Sequence, residues 1–82
     1  MELPLSALSM GQSAYISRLE GEWAMARRLS QLGFTPGTRV ECELIAPAGD
    51  PSAYRVRGAL IALRSSDASQ VFVRPAQREE DI

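Results

Sequence analysis

The alternation of apolar and polar residues changes period partway along this 82-residue chain. From Gln12 to Glu20 it is close to two, with Ala14 and Ile16 on one side and Ser13, Tyr15 and Ser17 on the other, which predicts a strand. Leu19 falls out of phase with Ile16, so a bulge or the strand's end is expected near Arg18. Gly21 breaks the pattern. From about Glu22 to Leu32 the spacing is helical. Met25, Leu29 and Leu32 share one face, while Arg27, Arg28, Ser30 and Gln31 fill the other. Glu22 suits the positive end of the helix dipole. Gly33 is placed to stop the helix with a positive φ, and Phe34 to fold back onto its last turn. Pro36-Gly37 reads as a type II turn.

Beyond Thr38 the period returns to two. Arg39 to Ala46 reads as a strand, with Val40, Cys42, Leu44 and Ala46 on one face and Arg39, Glu41, Glu43 and Ile45 on the other. The segment Pro47 to Ser52 is a proline- and glycine-rich loop. Ala53 to Gly58 alternates again, with Tyr54 and Val56 opposite Arg55 and Arg57. Pairing these strands as a hairpin sets Glu41 and Glu43 near Arg55 and Arg57, and Leu44 beside Tyr54 or Val56 in the core. Gly58 relieves crowding or begins a bend, with Ala59 to Leu63 continuing as a more buried strand. Ser65 to Ala68 predicts one helical turn with two capping hydroxyls. Gln70 to Arg74 predicts the last strand, with Val71 and Val73 inward and Pro75 ending it. Leu3 to Met10 reads as a lead-in in which Pro4 disfavours helix. The expected fold is mainly β: one short helix and about five hairpin-connected strands, closed as a small barrel that removes exposed edges. Residues 1–75 form the domain, and 76–82 an acidic, frayed tail.

Composition narrows the function. Hydrophobic content is 45% and charged content 23%, with net charge −1, and all nine basic residues are arginine. Without Arg78, Glu79, Glu80 and Asp81, eight arginines face seven acids. That balance lacks the basic excess by which nucleic-acid binders neutralise phosphate, so no nucleic-acid partner is expected. The longest apolar run, Ala59 to Leu63, is far short of the roughly 18–20 residues that cross a bilayer. With no signal-peptide pattern at Met1 to Pro4, a cytoplasmic location without membrane insertion is expected. One cysteine permits no internal disulfide.

Histidine is absent, which removes the commonest general base and transition-metal ligand. No Gly-rich phosphate loop or G-x-S-x-G motif is present, so no catalytic residue is assigned and enzyme activity is not expected. Cys42 is expected to be buried, pointing away from Glu41 and Glu43. Those two glutamates share a face and, with Asp50, are weak candidates for a divalent transition metal; an arginine-paired surface is the simpler reading. No other cofactor is implied. Trp23 suits either a core cap or an interface anchor. Arg27 and Arg28 suit a phosphate or carboxylate contact, or a solvated helix face. The loop carrying Pro47, Gly49, Asp50 and Pro51 is stiff and exposed, the kind of element that presents recognition groups.

Three ordered stretches, LPLSALSMGQSAYI, RRLSQLGFTPGTRVE and APAGDPSAYRVRGALIALRSSDASQVFV, resemble the FeoA family over Leu3 to Val73. The resemblance implies an SH3-like β-barrel and a role in bacterial ferrous iron uptake. The implied partner is the cytoplasmic part of a FeoB-like membrane transporter, which carries a GTP-binding domain. For such a partner, the exposed loop and helix face read above make Pro47, Gly49, Asp50, Pro51, Trp23, Arg27 and Arg28 the candidate binding residues. Related SH3-like domains of iron-dependent repressors suggest a metal-binding or metal-sensing alternative. A homo-oligomer is possible, because small barrels with open edges often pair.

Overall fold

A computed structural model of the chain describes residues 1–76. The tail expected from 76 onward lies outside these residues except for Ala76, whose N–H donates to the Ser13 carbonyl at 2.9 Å. Six strands form one antiparallel sheet: β1 (Leu3–Pro4), β2 (Ser13–Leu19), β3 (Arg39–Ile45), β4 (Ser52–Val56), β5 (Ala59–Leu63) and β6 (Val71–Pro75). Helix α1 spans Trp23–Gln31 and the short α2 spans Ser65–Ala68. The strand order is β1-β6-β2-β3-β4-β5, with β2 at the centre. No helix among the described residues is long and apolar enough to cross a membrane.

The core is made where the alternation points inward. Ala14 and Ile16, Val40 and Cys42, Tyr54 and Val56, and Val71 and Val73 are all buried. Each pair comes from one strand at spacing two, so their side chains meet on the concave face of the bent sheet. Leu29 of α1, Phe34 and Ala68 of α2 cover them. The helix ends as its residues dictate. Gly33 (φ +112°) donates to the Ser30 carbonyl at 3.0 Å, and the Phe34 N–H reaches the Leu29 carbonyl at 3.0 Å. This double bond satisfies two end carbonyls and swings the Phe34 ring into the core. A Cβ at Gly33 would meet the Arg57 side chain at 3.2 Å, so the position is restricted twice over. Glu22 is the residue just before α1, and its side chain makes no capping hydrogen bond.

Five expectations need correction. The lead-in is structured: Leu3–Pro4 pairs with Phe72–Val73 as a sixth strand, and a 3₁₀ turn at Leu5–Ala7 buries Leu5 and, just after it, Leu8. Leu44 is not core. A bulge between Cys42 and Leu44 adds one residue to β3, so the faces exchange beyond it. Leu44 is 56% exposed and Ile45 packs against the core. Gly58 closes a reversal: Arg57 (φ +51°) and Gly58 (φ +79°) form a two-residue turn that pairs Val56 with Ala59. β5 therefore runs back along β4 and is largely exposed, apart from Leu63. Arg57 does not face the glutamates; its guanidinium donates to Thr35 Oγ1 and Thr38 Oγ1 at 3.2 and 3.3 Å. Finally, the strand order leaves β1 and β5 as edges, so the sheet curls round its core without pairing away both margins. The bulge expected near Arg18 is present, between Ile16 and Arg18 of β2.

Candidate functional site

The Pro47–Ser52 loop is held from within and from outside. Gly49 donates to the Ala46 carbonyl at 2.7 Å, and Ala46 donates to the Pro51 carbonyl at 3.0 Å. The Asp50–Pro51 peptide is cis. Pro47, Ala48, Gly49 and Pro51 are exposed. The Asp50 carboxylate is committed: Oδ1 accepts the Ser65 backbone N–H at 2.8 Å and Oδ2 lies 3.3 Å from Ser65 Oγ. Asp50 thus caps the first turn of α2, the task that sequence assigned to the local serine hydroxyls.

Helix α1 presents the second group of candidates. Trp23 stands on its first turn, 73% exposed, and the Arg27 guanidinium lies 5.3 Å from the centre of its ring. That distance permits a cation–π contact. Of the nine helical residues only Leu29 is buried. Arg28 lines a groove of about 310 Å³ with Met25, Leu29 and Leu32 on the helix side and Ala62, Leu63, Arg64 and Asp67 on the other. The last four were not singled out by sequence. They reach the groove through tertiary packing across more than thirty residues of chain, for which local periodicity carries no signal. Arg64 adjoins Ser65, the residue that Asp50 holds. The loop and the groove face of α1, separate in sequence, are therefore linked through Arg64 and Ser65 at the start of α2.

The three acidic candidates are kept apart. Glu43 accepts two hydrogen bonds from Arg55, at 2.7 and 2.9 Å, and these hold its carboxyl below the usual glutamate range. Glu41 sits 3.8 Å from Arg39 and directly opposite Arg55 in the ladder. Asp50 is occupied by Ser65. Among the described residues no three of cysteine, aspartate and glutamate gather closely enough to hold a metal ion. Cys42 is fully buried on the other face of β3, where burial pushes its thiol pKa up and disfavours the thiolate.

A six-stranded antiparallel sheet with one short packed helix is the architecture of a small SH3-like domain. The chain belongs to the FeoA family, matching the FeoA domain over residues 3–75, a family of ferrous iron transport. It is 35% identical over 69 residues to a fusion of Fe(2+) transport protein A with the Fe(2+) transporter FeoB from Porphyromonas gingivalis. That similarity covers 84% of this chain but only 8% of the fusion protein. The solution structure of FeoA from Chlorobium tepidum superposes with a TM-score of 0.86 at 31% identity, covering 92% of this chain and 71% of that one. The crystal structure of Stenotrophomonas maltophilia FeoA complexed with zinc, described as a prokaryotic SH3 domain protein, gives 0.77 at 35% identity, with coverages of 87% and 88%.

Proposed function

We propose that this domain is a non-enzymatic regulatory module that docks on the cytoplasmic side of a FeoB-type GTP-binding transporter. The observation that carries this reading is the Porphyromonas gingivalis fusion, in which a segment similar to this chain is continuous with the transporter. Fusion raises the effective concentration of two modules to roughly the millimolar range; free chains must replace it with affinity of their own. The end of the domain holding α1, α2 and the Pro47–Pro51 loop supplies the chemistry for that. Trp23 is a rigid, exposed aromatic anchor at the start of α1, and the groove on the other side of that helix, which Trp23 does not line, adds the guanidinium groups of Arg28 and Arg64.

Calorimetry of the purified chain against the cytoplasmic GTP-binding part of the same organism's transporter tests this. Saturable binding is expected, weakened about tenfold by Trp23→Ala, as for a moderate hot-spot residue. Heats indistinguishable from dilution at the highest soluble concentrations overturn it.

A second reading, divalent metal binding, is favoured by the zinc complex of the Stenotrophomonas maltophilia protein. In this chain the oxygen ligands on offer are Glu41, Glu43 and Asp50, each already engaged by a neighbour. Titration with manganous ion, followed by line broadening of amides near those residues, decides it.

A further inference from the structure

Among the described residues, the outer margin of β5 is an unprotected sheet edge. Native edges are normally blunted by charge, proline or a covering element, because a free row of N–H and C=O groups pairs with any extended chain. Here the edge reads Ala59-Leu60-Ile61-Ala62-Leu63, without a charge or proline, and Leu60 is 52% exposed. The register identifies the free groups. The two-residue turn at Arg57–Gly58 makes Val56 and Ala59 the hydrogen-bonded closing pair, so Tyr54–Ile61 and Ser52–Leu63 are the next such pairs. The backbone N–H and C=O of Leu60 and Ala62 therefore point away from β4. Neither residue has a backbone partner elsewhere among the described residues.

This edge adjoins the groove. Ala62, Leu63 and Arg64 form one wall, and Met25, Arg28, Leu29 and Leu32 of α1 the other. We infer that the margin between β5 and α1 receives an extended segment of the partner protein by antiparallel strand addition, with a carboxylate meeting Arg28 and Arg64 in the groove. Charge supports an acidic segment: both arginines line the groove, neither makes an ion pair among the described residues, and Asp67 is the one opposing carboxylate there. A second copy of the chain is the poorer occupant. Antiparallel pairing of two β5 strands sets Arg57 of one near Arg64 of the other, with no acid on either strand. Ladder bonds would supply affinity, and the groove together with the two arginines specificity.

The inference rests on the docking reading but is tested without the transporter, so the two fail separately. The probe is a capped heptapeptide of two glutamates followed by alternating valine and threonine, titrated into the isotope-labelled full chain. Slowed hydrogen exchange and downfield shifts of the Leu60 and Ala62 amides are expected. A twin peptide with lysines in place of the glutamates should bind at least tenfold more weakly, and Arg64→Glu should reverse that order. Leu60→Pro, which removes an N–H that the ladder with β4 does not use, should abolish protection at Ala62. Where that variant fails to fold, Ala62→Lys, an added edge charge, serves in its place. Unchanged exchange at millimolar peptide overturns the inference, as does protection that grows with protein concentration alone, the mark of self-pairing. Equal binding of both peptides overturns the acidic assignment.

Discussion

The Asp50 carboxylate accepts a hydrogen bond from the backbone N–H of Ser65 at 2.8 Å, fastening the loop before β4 to the start of α2. Fifteen residues separate the two. The contact gives a loop residue a structural duty and fixes the position of Arg64, one residue earlier, on the wall of the groove.

Asp50→Ala should therefore lower stability by about 0.5–2 kcal/mol, the usual cost of losing an N-terminal helix cap. Asp50→Asn keeps an acceptor and should recover most of it. Urea denaturation midpoints at constant slope measure both. A midpoint unchanged by Asp50→Ala would mean that solvent serves the Ser65 N–H equally well. Any docking defect of an Asp50 variant has to be separated from this effect, whereas Pro47 and Gly49 have no comparable side-chain tie.

Leu44 and Ile45 should respond in the order opposite to their alternation. Ile45→Ala should cost about 1–2 kcal/mol, less than a fully buried deletion because Ile45 is only half-buried. Leu44→Ser should stay within about 0.5 kcal/mol of the parent, as exposed substitutions do. Thermal or urea unfolding of the two variants is sufficient, and a larger loss at Leu44 would place the bulge elsewhere.

These two residues also show where sequence stops being informative. The helix stop at Gly33 was legible because its cause is local: a positive φ, two end carbonyls and one following aromatic. The inward faces of β4, β6 and the first half of β2, to Ile16, were legible because alternation there is unbroken. The bulge in β2 showed as Leu19 falling out of phase, but the one in β3 adds a residue where Leu44 and Ile45 are both apolar and so leaves no mark, and β3 was read correctly to Cys42 and inverted afterwards. Gly58 was read as relieving crowding or beginning a bend, and the full reversal was missed: Arg57 shares the turn with a positive φ, and its hydrogen bonds to Thr35 and Thr38, distant in sequence, hold it there. Leu5 and Leu8 join the core by tertiary packing alone. At the site, Trp23, Arg28 and the loop were visible as residue types, while the groove wall and the capping role of Asp50 depend on contacts that only the folded chain makes.

Glu43 supplies a pH test. Arg55 holds its folded-state pKa below the ordinary value of 4.5. A carboxyl lowered on folding stabilises above its unfolded pKa and loses that contribution as pH falls through the folded value. The pair is solvent-exposed, so the effect is small. Glu43→Gln should be slightly less stable than the parent at pH 7, with the gap closing below pH 4.5. Denaturation midpoints of both proteins across pH 2.5 to 7 measure this; a gap that persists at the acid end would assign it to packing instead.

Docking through the end of the domain that unites α1, α2 and the loop is the central claim, and backbone NMR of the labelled chain titrated with the transporter's cytoplasmic GTP-binding part tests it most directly. The account predicts shifts clustered on Trp23 to Leu32, Leu60 to Asp67 and Pro47 to Pro51. Shifts confined to the outer face of β2 and β6, around Tyr15 and Arg74, or none at high concentration, would contradict it.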